Sequence, residues 1–215
     1  MTIASESAVE RRLLWCGDTG LLVELPDVHT VQSLYAALAE NPPAGTIDIV
    51  PAARTVLLKV DPDVSTRLEI ETHVLSLPIG ARTAADRQLV EIPVIYDGAD
   101  LEAVAKLTQM SCGDVVRAHT GTDWTVAFCG FSPGYAYLAD GDARLEVPRR
   151  GESRTRVPSG AVALAGSFSA VYPRESPGGW QLIGRTDTVM WDTRRAHPAL
   201  LQPGMTVRFI DSSAR

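Results

Sequence analysis

Apolar positions in the first third of this chain alternate between short unbroken runs and helical spacing. Leu13–Trp15 and Leu21–Leu25 are apolar runs around Gly17-Asp18-Thr19-Gly20, a pattern that predicts a β-hairpin. Val31, Leu34, Tyr35 and Leu38 then recur at helical spacing, and Asn41-Pro42-Pro43 ends the helix they predict. Ile47–Val50 and Thr55–Val60 read as two more strands, and Asp63–Leu77 as a second helix. Strands interleaved with two helices predict a small open-faced α/β sandwich over residues 1–80.

The segment Pro78–Gln88 is polar and aperiodic, and residues 81–88 are expected to be a linker. Leu89–Tyr96 then reads as a strand, with Pro93 demoting it to an edge or bulge. Leu101, Val104, Ala105 and Thr108 fit a helix. Ser111 followed by Asp114 predicts the start of another, with Val115 and Val116 inside it and Thr120-Gly121 ending it. After Trp124 the texture changes. Ten glycines and seven prolines lie between Gly130 and Gly204. They separate short apolar runs such as Val162–Ala165, Gln181–Ile183, Val189–Trp191 and Thr206–Ile210. No helix of ordinary length fits there, and short strands with Gly/Pro turns predict a closed or sandwiched all-β domain over residues 89–215. The fold class expected for the whole chain is α+β.

Composition narrows the function classes. The chain has 215 residues, 45% apolar and 21% charged, which suits a soluble globular protein of one large or two small domains. A net charge of −6 argues against a general nucleic-acid binder, whose domain should be basic. No apolar run approaches the roughly 18 residues of a membrane span. The opening MTIASESAVERR lacks the apolar core of a signal peptide and reads as a frayed tail. Cys16, Cys112 and Cys129 are odd in number and far apart. They indicate neither a disulfide framework nor a zinc site, and a cytoplasmic location fits best. No His/Glu cluster has metal-ligand spacing.

Four stretches carry candidate chemistry. Gly130-Phe131-Ser132-Pro133-Gly134 matches G-x-S-x-G on paper. Pro133 has no N–H to donate to an oxyanion, and no helix follows, so a hydrolase elbow is rejected. The loop reads instead as a turn out of a strand, with Tyr135 and Tyr137 as candidate pocket walls. Arg144, Arg149, Arg150, Arg154 and Arg156 crowd one region beside Glu146 and Glu152. Arg144 and Arg150 fit a solvated loop with local ion pairs. Arg154 to Gly160 instead suggests a guanidinium and the Ser159 hydroxyl turned inward, which is costly without an anion. His119 ends a predicted helix, either interacting with its C-terminus or acting as a general acid/base. Finally, Ser176-Pro-Gly-Gly-Trp-Gln-Leu-Ile-Gly-Arg-Thr186 sets Gly178 and Gly179 for close backbone approach and Arg185 as a fork of donors behind them. Trp180 reads as a buried anchor. No phosphate-binding G-x-x-x-x-G-K-[ST] loop is present.

These strings resemble a known family. GFSPGYAYL (130–138), VPRR (147–150), RTRVPSGAVALAG (154–166), VYP (171–173) and SPGGWQLIGRT (176–186) are similar to the B-type subunit of prokaryotic 5-oxoprolinase, also described as allophanate hydrolase subunit 1. The kinase A inhibitor of sporulating bacteria belongs to the same family. Glu91-Ile-Pro-Val, Ala118-His119-Thr120, and in the N-terminal part Gly17-Asp18, LLVEL (21–25) and VPAARTVLLKVD (50–61) extend the likeness over nearly the whole chain. Departures stand at Phe168-Ser169-Ala170-Val171, where relatives usually have Gln-Thr-Gly-Ile, at Ala139-Asp140, and at Asp187.

The resemblance implies a cyclophilin-like β-barrel after an α/β domain, and a partner subunit with a related barrel. It also implies a third component and ATP-dependent opening of 5-oxoproline to glutamate. The alternatives it leaves are allophanate processing, a carboxyltransferase module, and inhibition of a sensor histidine kinase. On the enzyme reading, His119 is the expected proton carrier and Arg185 the second catalytic candidate. Arg154, Arg156, Ser159, Tyr135, Gly178 and Gly179 are the expected contacts for a small anionic or amide substrate, and ATP is the expected cofactor despite the missing phosphate loop.

Overall fold

The computed structural model describes residues 9–80 and 88–212. Most of the expected N-terminal tail, and nearly all of the expected linker, lie outside the described residues. The chain divides into two compact units, Met1–Ala84 and Ala85–Arg215.

In the first unit, β1 (Arg12–Cys16), β2 (Gly20–Glu24), β3 (Thr46–Pro51) and β4 (Thr55–Val60) form an antiparallel sheet in the order β1-β2-β4-β3. Helices α1 (Val28–Glu40) and α2 (Arg67–Ser76) cover one face. Strand alternation sends Leu21, Val23, Val56 and Leu58 into the core, where they meet Val31, Leu34 and Leu38 of α1 and Ile70 and Val74 of α2. Each fully buried aliphatic side chain contributes about 1.5–3 kcal/mol. Asp27 starts α1 by accepting the Thr30 N–H at 2.8 Å. The second helix begins four residues later than its expected start at Asp63, because Thr66 and Glu69 form a reciprocal capping box that fixes the first turn there. The other face is open. Its Leu14, Leu22, Leu57 and Val50 sit in one cross-strand row.

The second unit is a nearly closed barrel. Its strands are β5 (Leu89–Val94), β6 (Trp124–Cys129), β7 (Ala136–Ala139), β8 (Arg154–Val157), β9 (Ala161–Ala165), β10 (Phe168–Val171), β11 (Ser176–Gly178), β12 (Gln181–Arg185) and β13 (Thr206–Asp211). Seven of them run β12-β9-β10-β7-β6-β13-β5, while β11 and β8 pair separately. Pro93 does fall on the last strand of that order, where β5 lies parallel to β13. Just past that strand, Ile95 and Arg185 exchange two backbone hydrogen bonds of 2.9 Å, joining the two ends of the sheet. The expected α+β class holds. Val189–Trp191, expected as a strand, is instead a loop touching Ala199 through an isolated bridge. Its chain turns away after two residues, because Asp192 accepts from the Arg194 backbone and side chain.

Two helices, α3 (Leu101–Thr108) and α4 (Cys112–Thr120), pack on one side of the barrel sheet. The start of α4 is the Ser111–Asp114 capping box anticipated from sequence. The barrel strands feed two separate cores through their alternation. Val162 and Leu164 of β9 join Ile92, Val126, Leu138 and Phe209 under the helices. Ala161, Ala163 and Ala165 of the same strand join Tyr135, Tyr172, Trp180 and Leu182.

Candidate functional site

The Gln181–Arg185 strand is held by the turn Asp97-Gly98-Ala99-Asp100 before α3. Gly98 donates its N–H to Ile183 at 3.2 Å, and the Asp100 N–H reaches Leu182 at 2.8 Å. A Cβ on Gly98 would lie 2.3–2.5 Å from three backbone atoms of β12, so only glycine fits. A Cβ on Gly184 would similarly meet the Ile95 carbonyl oxygen at 2.6 Å. The glycine of this motif therefore admits the chain's own backbone. Arg185 donates through Nε to Asp97 at 2.9 Å and is half exposed.

Asp100, a residue that no sequence motif singled out, is the hub of this region. Its side chain makes no cap bond. One carboxylate oxygen accepts from Arg150 at 2.6 Å and Arg154 at 2.8 Å, and the other from the Leu182 N–H at 2.7 Å. Burial alone would raise its pKa. The Arg154 and Leu182 hydrogen bonds and the charges of Arg154 and Arg150 outweigh that and hold it below the usual carboxylate range. The anion that an inward Arg154 requires is thus supplied internally. Arg150, expected in a solvated loop, shares it. Nη1 of Arg154 and Nε of Arg150 are buried with no partner among the described residues.

Gly178 and Gly179 also serve internal packing. A Cβ on Gly178 would fall 2.3 Å from the Tyr172 hydroxyl, and one on Gly179 2.9 Å from Ser153 Oγ. The Tyr172 hydroxyl accepts from Tyr135 and from the Trp180 backbone. Around this point the second barrel core opens into an aromatic cluster. Tyr137 stacks on Phe128 at 4.3 Å, and Trp180 meets Tyr135 and Tyr137 edge-on at 5.9 and 5.6 Å. Phe168 closes the group at 6.0 Å from Tyr137. Tyr135 is buried, while Tyr137 keeps part of its surface. The Gly130–Tyr135 turn links β6 to β7 with no helix after it, and Phe131 at its tip has φ 66 and is 60% exposed. Its geometry is that of a hairpin, as the missing Pro133 N–H indicated.

His119 has no exposed surface. Its Nδ1 lies 2.7 Å from the Tyr96 hydroxyl and its Nε2 2.8 Å from Ser169 Oγ. The ring stacks on Phe209 at 4.2 Å. Burial drives its pKa down to about 3, so it is neutral near pH 7. This placement corrects the expectation of a proton carrier acting directly on substrate: neither ring nitrogen is open to one. Two other expected contacts lie at the surface. Arg156 forks onto Glu175 at 2.9 and 3.0 Å, and Ser159 donates to the Pro173 carbonyl at 3.0 Å. A cleft of about 200 Å³ opens elsewhere, between α4 and the 3-10 turn Ala143–Leu145. Its Arg117 and Arg144 are paired with its own Asp114 and Asp142. Among the described residues no group of His, Cys, Asp or Glu is arranged to hold a metal ion.

Arg149 is the residue that sequence reasoning left without a role. Its neighbour Arg150 turns inward to Asp100. Arg149 is exposed, and no carboxylate or carbonyl pairs with it among the described residues. The doubled arginine in VPRR was the available signal, but not which of the two would be spoken for.

Comparison with known proteins places this arrangement. Residues 11–201 match the carboxyltransferase domain, subdomain C and D. The chain belongs to this family. It is 33% identical over 202 residues to the B-type subunit of 5-oxoprolinase from Bacillus subtilis, covering 86% of this chain and 83% of that protein. The crystal structure of TTHA0988 superimposes with a TM-score of 0.77 at 34% identity, over 92% of this chain but only 40% of that one. The K. lactis urea amidolyase shares the fold at TM-score 0.75 and 19% identity, with 98% of this chain matching 15% of the enzyme. The chain thus spans less than half the length of these two solved relatives.

Proposed function

We propose that this chain is the B-type subunit of a 5-oxoprolinase, a cytoplasmic hydrolase that opens the lactam of 5-oxoproline to glutamate in a complex with a second barrel subunit. The observation that carries this reading is the 33% identity to a protein of that name across 86% of the chain. In support, the barrel gathers an electropositive, aromatic-lined region beside the Ser176–Thr186 motif. Arg150 and Arg154 there share one buried carboxylate, Asp100, and Arg149 lies exposed beside them. A small anionic amide suits such a surface, because guanidinium groups recognise carboxylates through paired N–H donors.

The geometry supports the following residue roles. Asp100 orients Arg150 and Arg154. His119 positions Ser169 and Tyr96 from inside the barrel. Arg185, half exposed beside Asp97, keeps N–H groups beyond the one it donates and stays a candidate for contact with substrate or partner. ATP enters through the family resemblance alone. The three arginines expected to clamp an anion, Arg154, Arg156 and Arg185, are each paired with a carboxylate of this chain, which does not suit them to a triphosphate. No step through ATP is derived from them.

Reconstitution tests the reading. The chain, the second barrel subunit and the third component, given ATP and 5-oxoproline, are expected to release glutamate. Consumption of allophanate with no glutamate from 5-oxoproline would move the chain to the urea-processing branch.

A further inference from the structure

We infer that Arg149 and the Tyr137 hydroxyl form a carboxylate-binding site on the aromatic side of the barrel. Its ligand is a small carboxylate whose flat body lies against the Tyr137 and Phe168 rings. The inference rests on the proposed function for the identity of one ligand, not for the site.

The position of Arg149 is fixed from both sides. The preceding carbonyl, of Pro148, accepts the Gln181 side-chain amide at 3.1 Å, and the following N–H, of Arg150, reaches Gly179 at 2.8 Å. These contacts clamp Arg149 beside Trp180, whose ring meets Tyr137 at 5.6 Å. The charge of Arg149 acts on Tyr135, Tyr137 and Tyr172, opposing the rise that burial gives each hydroxyl. Two of those hydroxyls bond to each other. The third, on Tyr137, makes no hydrogen bond to protein among the described residues.

The Arg149 guanidinium and the Tyr137 phenol, neither of them hydrogen-bonded or ion-paired to protein among the described residues, lie near enough to interact and can both donate to one anion. The surroundings reinforce this. Arg149, Arg150 and Arg154 carry three positive charges, Asp100 one negative charge, and that carboxylate is fully engaged. Glu152, on the same loop, is exposed and pairs with none of them. Two arginines of the motif region do have partners, Arg156 with Glu175 and Arg185 with Asp97, while Arg174 is exposed away from the aromatic cluster's ring contacts. The half-buried rings of Tyr137 and Phe168 offer an apolar wall beside the donors. A carboxylate on a flat ring or amide answers both features.

The test uses the full chain and ligand-observed NMR, with L-5-oxoproline, its carboxamide and malonate as probes. The two carboxylates are expected to bind, and the carboxamide about 10- to 100-fold more weakly, the usual worth of charge-assisted hydrogen bonds. Arg149→Gln should abolish that preference with an unchanged melting temperature. Arg149→Lys should restore it in part, because the charge returns without the planar fork. Tyr137→Phe should weaken carboxylate binding several-fold. Malonate binding that depends on Arg149, with no binding of 5-oxoproline, supports the site and counts against the oxoprolinase reading. Equal binding of carboxylate and carboxamide, undiminished carboxylate binding by Arg149→Gln, or no carboxylate binding by the native chain each overturns the site.

Discussion

The two sides of β9 and β10 solve different problems with adjacent residues. Under the helices, Val162, Leu164 and Val171 pack with Phe209 and Leu138, and the polar groups that enter are closed on one another: Tyr96, His119 and Ser169 form a chain of 2.7 and 2.8 Å contacts. On the other side, an alanine floor of Ala161, Ala163, Ala165 and Ala170 makes room for large rings. There the Tyr137 hydroxyl is left over, and the nearby Arg149 is unpaired among the described residues. Buried polar groups must be satisfied from within, since leaving one bare costs about 1–3 kcal/mol. The difference teaches which side can still take a ligand: the one where donors remain unused at the surface.

The sharpest way to break this contrast is at the seam. Asp100→Ala leaves two part-buried guanidinium groups without their shared anion, and urea denaturation is expected to show a loss of about 3–5 kcal/mol. A loss below about 1 kcal/mol would mean that solvent already neutralises the cluster.

His119→Phe comes next. It removes the ring that both the Tyr96 and Ser169 hydroxyls bond and should cost about 2–3 kcal/mol at pH 7. It should also change the acid limb. The folded-state pKa of His119 is about 3, against an ordinary value of 6.5. Between those values the unfolded chain binds a proton that the folded chain refuses. The stability from the neutral ring is therefore complete above about pH 6.5. It falls by up to about 1.4 kcal/mol per unit as pH drops toward 3. Denaturation midpoints measured from pH 7 to 4 should decline less steeply in the variant. Parallel slopes would show that His119 is not the group responsible.

Gly178→Ala probes the aromatic side. The new methyl meets the Tyr172 hydroxyl, which can retreat only by disturbing its bond with Tyr135. A cost of about 1–2 kcal/mol is expected, with a changed near-ultraviolet dichroism signal from the packed rings. The smallest effect belongs to Tyr137→Phe. Its hydroxyl has no protein partner among the described residues, so stability should stay within about 0.5 kcal/mol of the native chain. A larger loss would reveal a structural role and erase the difference between the two sides.

Much of the fold was legible because its signals are local. Hairpin glycines at residues 17 and 20, the Ser111–Asp114 helix start and the Gly/Pro punctuation after Trp124 all act within a few residues. The candidate site was less so. The Ser176–Thr186 string was read as open to a ligand, yet Gly178 faces Tyr172 and Gly184 faces Ile95, partners 6 and 89 positions away in sequence. His119 fitted both a helix C-terminus and a catalytic role until its burial was known.

The sequence by itself determined the strand and helix alternation, the α+β class and the family, through strings specific enough to identify. Only the tertiary structure decided which charges are spent. Arg149 and Arg150 are the same residue type in adjacent positions, and only one of them is paired. Arg150 reaches a carboxylate 50 residues earlier, and Arg149 faces outward beside Trp180. Pairing of that kind depends on distance in space, which the order of residues along the chain does not encode locally.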